Sequence, residues 1–175
     1  MNDIVSTVTI LSMVKELRDK GSWTGETHIQ KAMFFLDKKC KISTDFEFIL
    51  YKHGPYSFDL HDSLGSLFSV CLVEHEILPP YGPRIRLTKA GEDFLAEHAE
   101  QLGVAKAALC SVAGWFGAKG VAELEKLATA LWVCTKTPTQ DAEVHAMRVH
   151  EIKPHISVEE ALEALSTVNA LPSPA

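Results

Sequence analysis

Residues 45–88 read DFEFILYKHGPYSFDLHDSLGSLFSVCLVEHEILPPYGPRIRLT, and the order of patterns within them decides the fold. Phe46, Phe48 and Leu50 alternate with their neighbours, the period of a half-buried strand, which predicts a strand over 46–51. The run reaches Lys52-His53-Gly54-Pro55-Tyr56-Ser57. There Pro55 cannot donate to a ladder and biases Gly54 away from helix, so the chain is expected to turn. Ser57 suits an N-cap, with Asp59 in the first turn of the helix that follows. Leu60, Leu64, Leu67, Phe68 and Cys71 would form that helix's buried face. Leu72–Leu78 and Arg84–Leu87 read as two extended runs separated by Pro79-Pro80-Tyr81-Gly82. Strand, helix, strand, turn, strand is the order of a winged-helix core, with residues 79–83 as the wing tip. The expected fold is α+β and mainly helical: a winged-helix core with a small antiparallel sheet and a C-terminal helical extension.

Outward from that stretch, the spacing of Ile4, Val8, Leu11, Val14 and Leu17 predicts an amphipathic helix over 4–18. Gly21–Gly25 breaks it, and a second helix is expected from Glu26 to Lys39, with Lys38, Lys39 and Lys41 at its negative end. Thr88 opens a fourth helix to about Gln101, with Phe94 and Leu95 facing inward. Beyond residue 104 the pattern is all-helical: 104–116, 121–135, 139–149 and 157–168. Ser157 followed by Glu160 makes a capping box for the last of these. Residues 1–101 are expected to hold the core, 102–170 a helical extension packed on it, and 171–175 a flexible tail.

The 175 residues are 46% hydrophobic and 23% charged, values that suit a globular protein with a real core. A net charge of −6 gives no global attraction to nucleic acid or to an anionic membrane. The four cysteines are far apart in apolar contexts and are expected to be buried free thiols. The start of the chain lacks the basic residues and cleavage site of a signal peptide, and no uncharged apolar run approaches a bilayer span. A cytoplasmic location is therefore expected.

The ordered segments KHGPYS, LTKAG, LEKLATALW and IKPHISVEEALEAL resemble the uncharacterised prokaryotic YwgA-type proteins over roughly residues 10–168. That resemblance implies a winged-helix core with a helical extension. It implies no activity, and any link to toxin–antitoxin or phage-defence systems is analogy.

Winged helices often place the third helix in the DNA major groove. Here that helix offers Asp59, Asp62, Ser63, Ser66 and Ser69, with His61 its only possible cation, which opposes strong duplex affinity. The favourable groups lie beside it. Lys52, His53, His61, Ser63, Arg84, Arg86 and Lys89 are the candidate nucleic-acid contacts, with Arg84 and Arg86 on one strand face. The alternative for these arginines is pairing with Glu74 and Glu76 across the hairpin. Eight histidines invite a metal site, but His145, His150 and His155 step by five and do not stack on a helix, so no metal is expected. Gly114, Gly117 and Gly120 lack the lysine and preceding strand of a phosphate loop. No cofactor, small-molecule substrate or catalytic residue is inferred.

Protein association is the remaining class. Trp115, Phe116 and Trp132 are candidate anchors for a partner or a dimer, and Tyr56 is a candidate contact at the turn. The expected function is a non-enzymatic winged-helix adaptor or regulator that binds a protein partner, with DNA association possible. Direct DNA binding through the third helix and wing is the first alternative, and an accessory subunit of a nuclease or defence complex the second.

Overall fold

A computed structural model describes residues 3–172 of the chain. Its centre is a helix that is buried around its whole circumference. Residues 28–36 of α2 (Glu26–Lys38) are all buried, with Ile29, Ala32, Met33, Phe34, Phe35 and Leu36 reaching every side. Such a helix must be wrapped on all faces. Around it lie α1 (Asp3–Asp19), α5 (Ala105–Phe116) and α6 (Val121–Lys136), so helices on both sides of residue 102 share one hydrophobic core. The chain is mainly helical with two small antiparallel sheets.

The first sheet corrects the expected strand over 46–51. Only Ile49–Tyr51 (β1) is extended and paired, and its partner is Gly54–Tyr56 (β2), in register Ile49↔Tyr56, Leu50↔Pro55 and Tyr51↔Gly54. The turn is therefore Lys52-His53 alone, and Pro55 sits inside a strand. A two-stranded ribbon tolerates this because each strand has an unpaired edge where a missing N–H costs nothing. Phe46 and Phe48 leave the ladder to pack, and the Phe48 ring meets Phe34 at 5.3 Å.

α3 (Phe58–Ser69) follows, N-capped by Ser57, whose hydroxyl accepts from Leu60 N. Leu60, Leu64 and Leu67 form its buried face as expected; Phe68 is half-buried and Cys71 is exposed. The second sheet pairs β3 (Val73–Glu76) with β4 (Arg84–Leu87), in register Glu74↔Arg86 and Glu76↔Arg84. It shares no ladder with β1–β2. Its other edge is met by the α1–α2 connection, where Ile85 N donates to Thr24 O at 2.9 Å. The tip of this hairpin is fastened to the same connection: Trp23 Nε1 donates to Gly82 O at 3.1 Å.

Thr88 caps α4 (Lys89–His98), which runs into a 3-10 turn (Ala99–Leu102). The last helices are α7 (Ala142–Ile152) and α8 (Val158–Ala170), and the Ser157–Glu160 capping box is formed. Of the expected flexible tail, Leu171 packs half-buried on the core, while 173–175 lie outside the described residues. Among the cysteines only Cys40 is buried, Cys134 is half-buried, and Cys71 and Cys110 are exposed, because an apolar helix neighbourhood still leaves one face to solvent.

One glycine is set by close approach. A Cβ on Gly91, in the first turn of α4, would lie 2.0 Å from Leu72 O. Gly65, in α3, has open space at the same position. Gly91→Ala is therefore expected to lower the unfolding free energy by about 3 kcal/mol in urea titration, by forcing α4 off the strand. Gly65→Ala should raise it by about 0.5–1 kcal/mol through helix propensity.

Candidate functional site

Of the three polar residues buried on α2, His28, Gln30 and Lys31, the last two reach the β1–β2 hairpin and the Ser57 peptide that follows it. Gln30 is wholly buried, and its amide clamps the backbone of Ser57: Nε2 donates to Ser57 O and Oε1 accepts from Ser57 N, both at 2.9 Å. Lys31 is 1% exposed, and its ammonium donates to Pro55 O at 2.9 Å. A proline residue has a carbonyl but no N–H, so a lysine donor satisfies the acceptor this strand leaves inward. Burial holds the Lys31 pKa down to about 8, with the Glu125 carboxylate pulling it upward and the Lys153 ammonium pushing it further down.

The hairpin is clamped from its other side by the residue that follows α7. Lys153 donates to Tyr51 O at 3.2 Å and Lys52 O at 2.5 Å. Its ammonium also lies 3.0 Å from Glu125 Oε1, at an angle outside hydrogen-bond geometry. His155 approaches the other carboxylate oxygen at 3.5 Å. Gly54 lies where this packing is closest. Its φ is +87°, and an added Cβ would come within 3.3 Å of Thr129 Oγ1 and 3.5 Å of Lys31 Cε. Only glycine combines that backbone angle with that approach.

The outward side of the hairpin carries a cluster of rings. Tyr51 and Phe58 are 54% and 52% exposed. Their centroids are 5.7 Å apart, and Tyr56 sits between them at 5.5 and 5.2 Å. Tyr56 is half-buried, and its hydroxyl donates to Glu26 Oε1 at 3.0 Å. Burial, and then that carboxylate, push its pKa up to about 12. The same oxygen meets His61 Nδ1 at 2.8 Å, which raises the His61 pKa. Asp59 and Asp62 are exposed beside the rings on α3. The cluster thus has apolar faces, an acidic flank, and Lys52 and His53 exposed at the hairpin tip.

The cations singled out in the sequence fall into two groups. Arg86 pairs with Glu74 at 2.7 Å. Arg84 lies 3.7 Å from Glu76, donates to Trp23 O at 3.1 Å, and covers the Trp23 ring at 5.0 Å. Lys89 pairs with Asp93, and His61 with Glu26. The Ser63 hydroxyl donates to Asp59 O within its own helix. Arg84, Arg86, Lys89 and His61 therefore already face carboxylates, while Lys52 and His53 sit at the separate hairpin.

The expected partner anchors also divide. Tyr56 belongs to the ring cluster. Trp115 is half-buried against the core, and half-buried Trp132 packs on Phe34 at 6.0 Å with Lys136 over its ring. Phe116 is 1% exposed and meets Phe35 at 5.2 Å, so it is a core residue with no surface to offer a partner. The reason is positional: Phe116 falls on the face of α5 that packs on α2, and adjacency to a glycine break does not expose it.

A cysteine–histidine pair does arise through tertiary proximity. Cys134 Sγ lies 3.7 Å from His145 Nδ1, while His145 Nε2 is 3.2 Å from Thr137 O. Burial raises the Cys134 pKa, the opposite of an activated thiolate, so the pair is a structural contact. His150 turns to Ile156 O and His155 to Glu125, so these histidines share no centre. Among the described residues, no group of three or more His, Cys, Asp or Glu is placed to hold a metal ion, and no helix is long and apolar enough to cross a membrane.

Sequence reasoning had not singled out Gln30, Lys31, Glu125 or Lys153 as a set. Their trace in the sequence is a polar residue at an inward position of an otherwise apolar helix, as in IQKAMFFL and LEKLATAL. No family model matches the chain, and no curated protein is significantly similar to it.

The clamp makes two measurable demands. Below pH 8 the folded and unfolded chains both hold the Lys31 proton, and the fold bears the full cost of the buried ammonium. Between about 8 and the ordinary 10.5 the unfolded chain binds more proton, so the Lys31 contribution to stability rises with pH. Cys40, pushed up to about 11 by burial, acts in the opposite direction above 9. The test is therefore the difference between wild type and Lys31→Met, which should shift in favour of wild type by about 2 kcal/mol from pH 7 to 10. Separately, Lys153→Met should cost about 3–5 kcal/mol by leaving the buried Glu125 carboxylate without its ammonium partner. Adding Glu125→Gln should recover part of that loss in a double-mutant cycle.

Proposed function

We propose that the chain is a winged-helix adaptor or regulator, and that it binds a protein partner through the outer face of the β1–β2 hairpin and α3. The winged-helix assignment is supported by the order of elements. α1, the extended residues 22–24, α2, α3 and the β3–β4 hairpin follow in that order, and the Thr24–Ile85 hydrogen bond ties the extended residues to the hairpin edge. The hairpin β1–β2 is then an insertion between the second and third helices. The resemblance to YwgA-type proteins would imply the same fold and adds no activity.

The observation that carries the functional proposal is the exposure of Tyr51 and Phe58 in a ring cluster held rigid from beneath. Large apolar rings left half in water on a clamped hairpin are the kind of anchor that protein interfaces use. Asp59 and Asp62 beside them favour a partner segment that is itself basic, with arginine stacking on the rings and pairing with the carboxylates. The same carboxylates repel phosphates, which disfavours α3 as a reader of DNA.

The test compares wild type with Tyr51→Ser/Phe58→Ser for binding to an isolated partner, alongside mixed-sequence duplex DNA at about 50 and 200 mM salt. The expected outcome is at least a roughly tenfold loss of partner affinity in the double variant, about 1.4 kcal/mol or more. DNA binding weaker than about 10 µM is expected beside it. Steep salt-dependent DNA binding that falls in Arg84→Ala/Arg86→Ala would instead favour a direct DNA-binding regulator.

A further inference from the structure

Helices α2 and α6 run parallel. Residues at the N-terminal ends of both (25–28 and 118–121) line one cleft of about 690 Å³. Residues at the C-terminal ends of both (38, 39 and 131, 134–136) line another. At the C-terminal ends Lys38, Lys39, Lys41 and Lys136 offset the negative ends of the two dipoles. The N-terminal ends differ. Both N-caps are glycine, Gly25 and Gly120, and neither helix has a side-chain cap. Two first turns with uncapped N–H groups therefore border the same space, with the Lys119 side chain beside them.

His28 adds an independent observation. It lines the cleft and is 3% exposed; the Lys119 carbonyl approaches the ring, but neither ring nitrogen makes a hydrogen bond of good geometry. Burial lowers its pKa, while the nearby Lys119 carbonyl pulls weakly the other way. The Lys119 carbonyl can serve one ring nitrogen only, which leaves the other without a partner in a buried place, a position that a ligand atom would satisfy. The third feature is an aromatic wall. Trp23 and Tyr81 meet edge to face at 5.0 Å, and both line the cleft. The two carboxylates near the helix starts are already engaged: Glu26 by Tyr56 and His61, and Glu123 by Lys119 at 3.4 Å.

We propose that this cleft binds a small planar molecule bearing a phosphate or carboxylate. The anion rests on the N-termini of α2 and α6 and draws Lys119 away from Glu123, the ring system lies against Trp23 and Tyr81, and His28 hydrogen-bonds the bound molecule. The volume falls in the range of small-molecule sites. The inference does not rest on the adaptor function, since the hairpin rings line a different surface.

The decisive experiment is calorimetric titration of the full chain with phenyl phosphate, benzoate and, as the neutral control, benzyl alcohol. At least one of the two anions is expected to bind with a Kd below about 1 mM, and benzyl alcohol far more weakly. Whether phenyl phosphate or benzoate binds more tightly assigns the anion. Gly120→Asp is the discriminating variant. The backbone there is extended (φ −80°, ψ 167°) and an added Cβ meets nothing within 4 Å, so the side chain can cap α6 and the chain stays folded. Its carboxylate occupies the anion position, so binding should weaken at least roughly tenfold while the melting temperature holds or rises. Failure of both anions to bind at about 5 mM, or equal binding by Gly120→Asp, would overturn the proposal.

Discussion

The polar pair Gln30–Lys31 sits in the middle of the most buried helix, and the rest of the fold is arranged around its needs. An amide and an ammonium inside a core cost several kcal/mol unless every polar atom finds a partner. Neighbouring helices cannot supply those partners, because their backbone groups are consumed internally. A two-stranded ribbon can, since one edge of each strand is free. Hence β2 lies against α2 with Pro55 O and the Ser57 peptide turned inward. The hairpin is less a connection between helices than the polar complement of α2.

That constraint explains the residues of the turn. Gly54 must be glycine because of its positive φ and its distance from Thr129 and Lys31. Pro55 removes an N–H that would otherwise need a partner and fixes the strand's direction. Ser57 serves twice, receiving the Gln30 amide on its backbone and capping α3 with its hydroxyl. Lys153 then closes the hairpin from the C-terminal half of the chain, carrying Glu125 with it. Helices far apart in sequence are joined through the backbone carbonyls of four residues, Tyr51, Lys52, Pro55 and Ser57. The clamp also explains why rings can be left outside: a hairpin fixed from below can hold Tyr51, Tyr56 and Phe58 in place at little further entropic cost.

The β3–β4 hairpin shows the opposite balance. Its outward arginines face glutamates directly across the ladder, and Arg84 is further held by Trp23. Such pairs contribute little stability in water, but they neutralise the surface that a DNA-binding wing would keep positive. The β3–β4 hairpin is instead fastened to the α1–α2 connection by Trp23 and Thr24. That fastening also forms the aromatic wall of the cleft at the starts of α2 and α6.

Local sequence determined most of the helices through period and stop, and for three of them through the cap: Ser57, Thr88 and Ser157 cap as their positions imply, while α2 and α6 begin at glycine without one. The pairing of β3 with β4 was equally legible, two extended runs divided by Pro79–Gly82. The alternation of Phe46, Phe48 and Leu50 was misleading, because period-2 spacing does not distinguish a strand from an irregular segment pinned by its aromatic side chains. Residue 116 shows the same limit, since which face of α5 meets α2 depends on the crossing of two helices distant in sequence. The clamp was out of reach for that reason too. Residues 30, 31, 125 and 153 come together only when three separate elements pack on one hairpin, and a buried charge becomes intelligible only once its partners across the fold are known.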